Sequence, residues 1–141
     1  MTVATADLDA FIDARRHVAF AYFTQDCAHI AADWVREKTG ADPLRDLRAL
    51  GGPLEARNLL TALRAVRAAG GMAAMATARL GEPVPALMAQ RGDVVLVMSG
   101  RPVGRVSGYA FGVCTGSHIA LPNDHGLVFQ PLKAGVVAWR V

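Results

Sequence analysis

Asp26 and Cys27 open the stretch DCAHIAADWVREKTG, and four histidines, His17, His29, His118 and His125, complete the side chains that could activate a cysteine nucleophile. A thiolate attacks a carbonyl carbon, a base must take the thiol proton, and backbone N–H groups can hold the resulting oxyanion. If Asp26 caps a helix, Cys27 is its first residue and sits at the positive end of the helix dipole, which favours the thiolate. The charge of Asp26 acts the other way. The alternative is a structural thiol on an apolar helix face with Ile30, Ala31 and Trp34, and the local sequence favours it.

Each candidate base has its own setting. His29 lies two residues beyond Cys27 and points to a different helix face, while His17 sits among polar residues; both read as surface side chains. His125 falls in N-D-H-G, a strong turn signal. His118 would begin a strand, and a sheet packed on the helix could carry its imidazole towards the thiol. If the chain is an enzyme, Cys27 is its nucleophile and His118 its base.

The elements that must position these residues divide the chain. Residues 7 to 80 are rich in alanine, leucine and arginine, and residues from about 83 onward in valine, glycine and proline. Leu8, Phe11, Ile12, Val18 and Tyr22 predict an amphipathic helix over residues 7 to 21. A second helix starts at Asp26, buries Cys27, Ile30, Ala31, Trp34 and Val35, and stops at Gly40. A third runs from Pro53 through Leu59, Leu63 and Val66 to Gly70-Gly71. Residues 72 to 80 have no clear period.

Arg91-Gly92 reads as a turn, and the valine-rich run after it as a buried strand. Further strands are expected at Tyr109 to Thr115, His118 to Leu121, Leu127 to Leu132 and Val136 to Val141. They are separated at Gly100-Arg101-Pro102, Gly116-Ser117, Pro122 to Gly126, and Gly135. Connections this short favour antiparallel neighbours. A helical half followed by a strand half makes the fold class α+β, with one domain over residues 1 to 141.

Composition limits the function. Of the 141 residues, 52% are hydrophobic and 19% charged, as in a globular chain. The apolar runs are too short to span a bilayer, and residues 1 to 16 lack the pattern of a signal peptide, so synthesis in the cytosol and no membrane partner are expected. The net charge of +3 is spread among acids without an aromatic-interleaved basic cluster, which argues against nucleic acid. Cys27 and Cys114 make neither a disulfide framework nor a zinc-type pair, and no metal or cofactor is expected.

The order helix, D-C at a helix start, further helices, A-x-x-G-D-V-V and a small antiparallel sheet resembles the NlpC-type cell-wall peptidases, papain-like cysteine enzymes that cut peptidoglycan stem peptides. Their usual W-G-x-x-D-C-S corresponds to YFTQDC, with Tyr22 for Trp and Phe23 for Gly, and their L-x-x-G-D-L-V-F to AQRGDVVLV at residues 89 to 97. Their H-V-G-I-Y-x-G matches AFGVCTG at residues 110 to 116, which sets Ala110 where the catalytic histidine stands. That register implies that Ala110 faces Cys27. The family's third polar residue would come from the next strand, HIALP, where His118 is the polar side chain.

A narrower resemblance covers residues 11 to 141: D-C-x-x-x-A-A-D-W-V, T-G-x-D-P, G-D-V-V-L, G-x-C-x-G and G-L-V-F-x-P-L with a final A-W-R-V are similar to a group of phage and prophage proteins encoded among tail genes. This resemblance implies a structural tail-tip or tail-assembly component of a phage-like particle, made in the bacterial cytoplasm, on a degenerate cysteine-peptidase scaffold. Its partners would be other tail or hub proteins. The alternative is an active cysteine peptidase or amidase acting on peptidoglycan, and a third reading is an unrelated soluble binding domain with a buried cysteine. Ala110 separates the first two.

Overall fold

Asp7 and Asp26 start helices by the same device, a carboxylate that accepts a backbone N–H three residues on. The computed structural model describes residues 7–55, 57–98 and 108–141, so the expected break at Gly100-Arg101-Pro102 lies outside the described residues. Helix α1 spans Leu8–Arg15 and buries Leu8, Phe11 and Ile12. It ends well before residue 21. The Arg16 carbonyl instead accepts the Leu127 N–H at 2.9 Å, and the Phe20 N–H donates to the Asn123 carbonyl at 3.1 Å. Pairing with exposed groups of the sheet satisfies this backbone as a longer helix would have done.

Helix α2, Cys27–Thr39, follows the sequence reading at both ends, with Asp26 as N-cap and Gly40 left-handed at φ 81° as C-cap. It buries Ile30, Ala31, Ala32, Trp34 and Val35. Each large apolar side chain fully buried in this way contributes about 1.5–3 kcal/mol. A short helix α3, Arg45–Arg48, follows. The third expected helix begins not at Pro53 but at Leu59, because Asn58 caps it by accepting the Thr61 N–H at 3.1 Å; this is α4, Leu59–Ala68. Residues 72 to 80, without period in the sequence, form α5, Met72–Leu80. Thr77 of α5 accepts a hydrogen bond from the Trp139 indole at 3.1 Å, a tertiary contact that local propensity does not encode.

The C-terminal half supplies a six-stranded antiparallel sheet in the order β1-β6-β2-β3-β4-β5. The strands are β1 Val84–Pro85, β2 Val94–Met98, β3 Tyr109–Cys114, β4 His118–Asn123, β5 Gly126–Pro131 and β6 Gly135–Trp139. The fold is α+β, as the sequence indicates. The two-residue β1 escapes a sequence reading because it pairs with β6, far along the chain.

Strand β2 explains its own composition. Val94 and Leu96 pack with Ala31 and Val35 of α2, Phe111 and Trp139. Val95 and Val97 pack on the other side with Ile119, Leu121 and Ala138. Both faces are covered, so the strand is continuously apolar instead of alternating. Asp93, directly before it, is buried and useful: its carboxylate accepts the Gln90 N–H at 2.8 Å and the Val141 N–H at 3.2 Å. The G-D of the sequence motif is thus a turn and a clamp on the C-terminal end of the chain.

Candidate functional site at Cys27

The segment before α2 folds back on Asp26. Its Oδ2 accepts the Phe23 N–H at 2.8 Å; its Oδ1 accepts the His29 N–H at 2.8 Å and lies 2.7 Å from His29 Nδ1. Burial alone would raise the Asp26 pKa, but the bonds from His29 and Phe23 overcome it and hold the carboxyl below its ordinary value. Phe23 is left-handed at φ 67°. An L residue there is strained, and the strain is held by the bond its N–H makes to Asp26. This is the position at which the resembled peptidases carry glycine.

Cys27 is the first residue of α2 and packs beside Tyr109 and Phe111 of β3. Burial pushes its thiol up to about 11; the Phe111 backbone opposes that rise and the charge of Asp26 adds to it. The helix dipole expected to favour the thiolate is therefore outweighed by desolvation, and the thiol is protonated at neutral pH.

A cleft of about 730 Å³ lies over Cys27. Ala110 lines it too, but from the other face of β3: its methyl packs with the cluster of Val97 and Leu121, whereas Tyr109 and Phe111 share the cluster next to Cys27. The expectation that Ala110 faces Cys27 is corrected accordingly. The two residues share the cleft without sharing a face of the strand, because side chains alternate along β3.

None of the four histidines is among the described residues that line the cleft. His118 is exposed at the start of β4, paired with Pro131, its Nδ1 2.8 Å from Ser117 Oγ. The part of β4 that reaches the cleft is its far end, Leu121, Pro122 and Asn123. His118 therefore does not sit as a base for Cys27. His17 and His125 are exposed, as expected, with His125 in the turn between β4 and β5. His29 is not a surface residue: only 6% of it is exposed, because Asp26 draws it in and the Phe23 ring covers it at 6.0 Å.

Sequence reasoning missed Asn123 and Asp124, which line the cleft. Asn123 ends β4, paired with Gly126 of β5, and its carbonyl accepts the Phe20 N–H at 3.1 Å, which sets this end of the hairpin beside Phe20 at the cleft. The turn signal in N-D-H-G could have placed these residues at the cleft end of the hairpin. Cys114, the second free thiol, is buried and lies outside the cleft, its Sγ 3.4 Å from the Gly116 N–H. Among the described residues no cluster of His, Cys, Asp and Glu could hold a metal ion, and no helix is long and apolar enough to cross a membrane.

These features define an α+β protein with a helix-capped cysteine over a sheet-walled cleft. The chain belongs to the family described as Domain of unknown function (DUF6950), which it matches over residues 2–141. No match was found among curated proteins or among solved structures.

Proposed function

We propose that this protein is a structural tail-tip or tail-assembly component of a phage-like particle, built on a papain-like scaffold that has lost its peptidase chemistry. The observation that carries the loss of chemistry is the cleft itself. Cys27 opens into it, Ala110 lines it from the other face of β3, no described histidine lines it, and the thiol is held protonated. Without a base to take the proton, attack on an amide carbonyl is not activated. The papain-like scaffold is supported by Cys27 at the start of a helix packed on an antiparallel sheet, and by the left-handed Phe23 at the glycine position of the resembled motif. The place in a tail rests on the motif resemblance alone.

One feature favours an active peptidase instead: the backbone of Phe111, Ala28 and Cys27 itself opposes the rise in the thiol pKa, which favours the thiolate. Complementation separates the readings. In a phage or prophage lacking this gene, Cys27→Ala should restore particle assembly and infection as fully as the wild type. Particles that assemble with Cys27→Ala but fail to cross the cell wall would overturn the structural assignment. Purified protein is likewise expected to release no fragments from peptidoglycan between about pH 5 and 9, the range in which a cysteine–histidine pair would ionise usefully.

A further inference from the structure

The walls of the Cys27 cleft are mostly apolar. Leu59 and Leu63 of α4 and Met72 and Met75 of α5 form one side, with Met98 at the end of β2. Methionines adapt their shape to what they contact. Four aromatic residues, Phe20, Tyr22, Tyr109 and Phe111, line the cleft as well, with Phe20 and Tyr22 stacked edge to face at 4.9 Å. The volume of about 730 Å³ is that of a small-molecule site.

Among the described residues, the charged groups of the cleft have one sign. Among the described residues that line it there is no lysine, arginine or histidine, and the carboxylates are Asp26 and Asp124. Asp26 is committed to Phe23 and His29. Asp124, in the turn after β4, makes no ion pair among the described residues. A carboxylate in a cleft that also has aromatic and apolar walls suits a cation on an apolar stem, since ring quadrupole and carboxylate both attract positive charge. An anionic head would meet repulsion from these carboxylates and no cation among the described residues of the cleft.

We infer that the cleft is a binding site for an amphipathic organic cation, whose apolar body lies against the α4 and α5 walls and whose ammonium group meets Asp124 and the aromatic rings. The site needs no reaction at Cys27 and stands whether or not the protein belongs to a tail.

The cleft methionines supply the readout. With methyl-labelled methionine, octylamine, octanol and octanesulfonate are titrated below their micelle-forming concentrations. Octylamine should shift the Met72, Met75 and Met98 methyls saturably and leave Met88, which lies outside the cleft, in place. It should bind about three- to tenfold more tightly than octanol, with the sulfonate weakest. Asp124→Asn, a change at an exposed turn that leaves the core untouched, should abolish the advantage of the amine while octanol binding persists. Equal affinity for amine and alcohol, preference for the sulfonate, unsaturable shifts that include Met88, or an amine advantage that survives Asp124→Asn would each overturn the inference.

Discussion

The indole Nε1 of Trp34 donates a hydrogen bond to the carbonyl of Gly92 at 2.7 Å, joining the middle of α2 to the turn that launches β2. Gly92 holds φ 93° to present that carbonyl, and a Cβ there would lie 3.2 Å from Lys38 Nζ and 3.4 Å from the Trp34 ring. Trp34→Phe keeps most of the ring but leaves the carbonyl without its donor, so it should cost about 1–3 kcal/mol. Gly92→Ala should cost a similar amount, about 1–3 kcal/mol, through left-handed strain. Urea denaturation of both variants measures these losses. If neither lowers stability, this contact does not couple helix to sheet.

Legibility in the sequence follows how local each determinant is. Helix α2 is readable because cap, apolar face and stop all lie within one short stretch, from Asp26 to Gly40. Strand β2 is readable because burial on both faces writes an unbroken apolar run. The end of α1 is not, since it depends on Arg16 meeting Leu127 across the fold. The burial of His29 was hidden for a related reason: its face on the helix points outward until Asp26 and Phe23 fold back over it. The sequence brings Cys27 to the right helix end, but which residues line its cleft depends on which end of β4 lies there, and that removed His118 and admitted Asn123 and Asp124.

Asp26 should make stability depend on pH in a defined direction. Its folded-state pKa is depressed, so its stabilising contribution is complete above the ordinary carboxylate range and is lost as pH falls through the lower folded value. Asp26→Asn cannot accept all three bonds and should lose about 1–3 kcal/mol at neutral pH. The gap between wild type and variant should narrow as the solution is acidified below the ordinary carboxylate range. Denaturation midpoints of the two proteins across that range test the sign. A gap that widened on acidification would mean that Asp26 is not stabilised as the charged form.

Gly112, the first glycine of G-x-C-x-G, is demanded by space. A Cβ at this position would stand 2.7 Å from Leu121 Cδ2 and 2.8 Å from the Ala120 carbonyl oxygen, and closer still to Ile119 Cγ2. Strand β4 would have to move, and with it the cleft end of the hairpin. Gly112→Ala should therefore destabilise by about 1–3 kcal/mol. Thermal unfolding gives the value, and a variant as stable as wild type would show that β4 has room to yield.

The reactivity of Cys27 tests the degenerate-peptidase reading at its centre. With its pKa pushed up to about 11, the thiol is almost wholly protonated at neutral pH, and alkylation by iodoacetamide should be slow there and accelerate steeply with alkali. Asp26→Asn removes a charge that raises the pKa and should speed the reaction at any fixed neutral pH. Ala110→His introduces an imidazole into the cleft that Cys27 lines. If position 110 corresponds to the peptidase histidine, that imidazole should favour the thiolate and raise the neutral-pH alkylation rate by about tenfold or more. Mass spectrometry of the labelled protein reads the rate, with Cys27→Ala as the control that assigns it. Slow peptidoglycan cleavage by Ala110→His that disappears on adding Cys27→Ala would mark a scaffold that once carried the reaction. Unchanged reactivity in Ala110→His would mean that the face of β3 bearing residue 110 does not reach the sulfur, and the papain-like correspondence would fail at the residue on which it most depends.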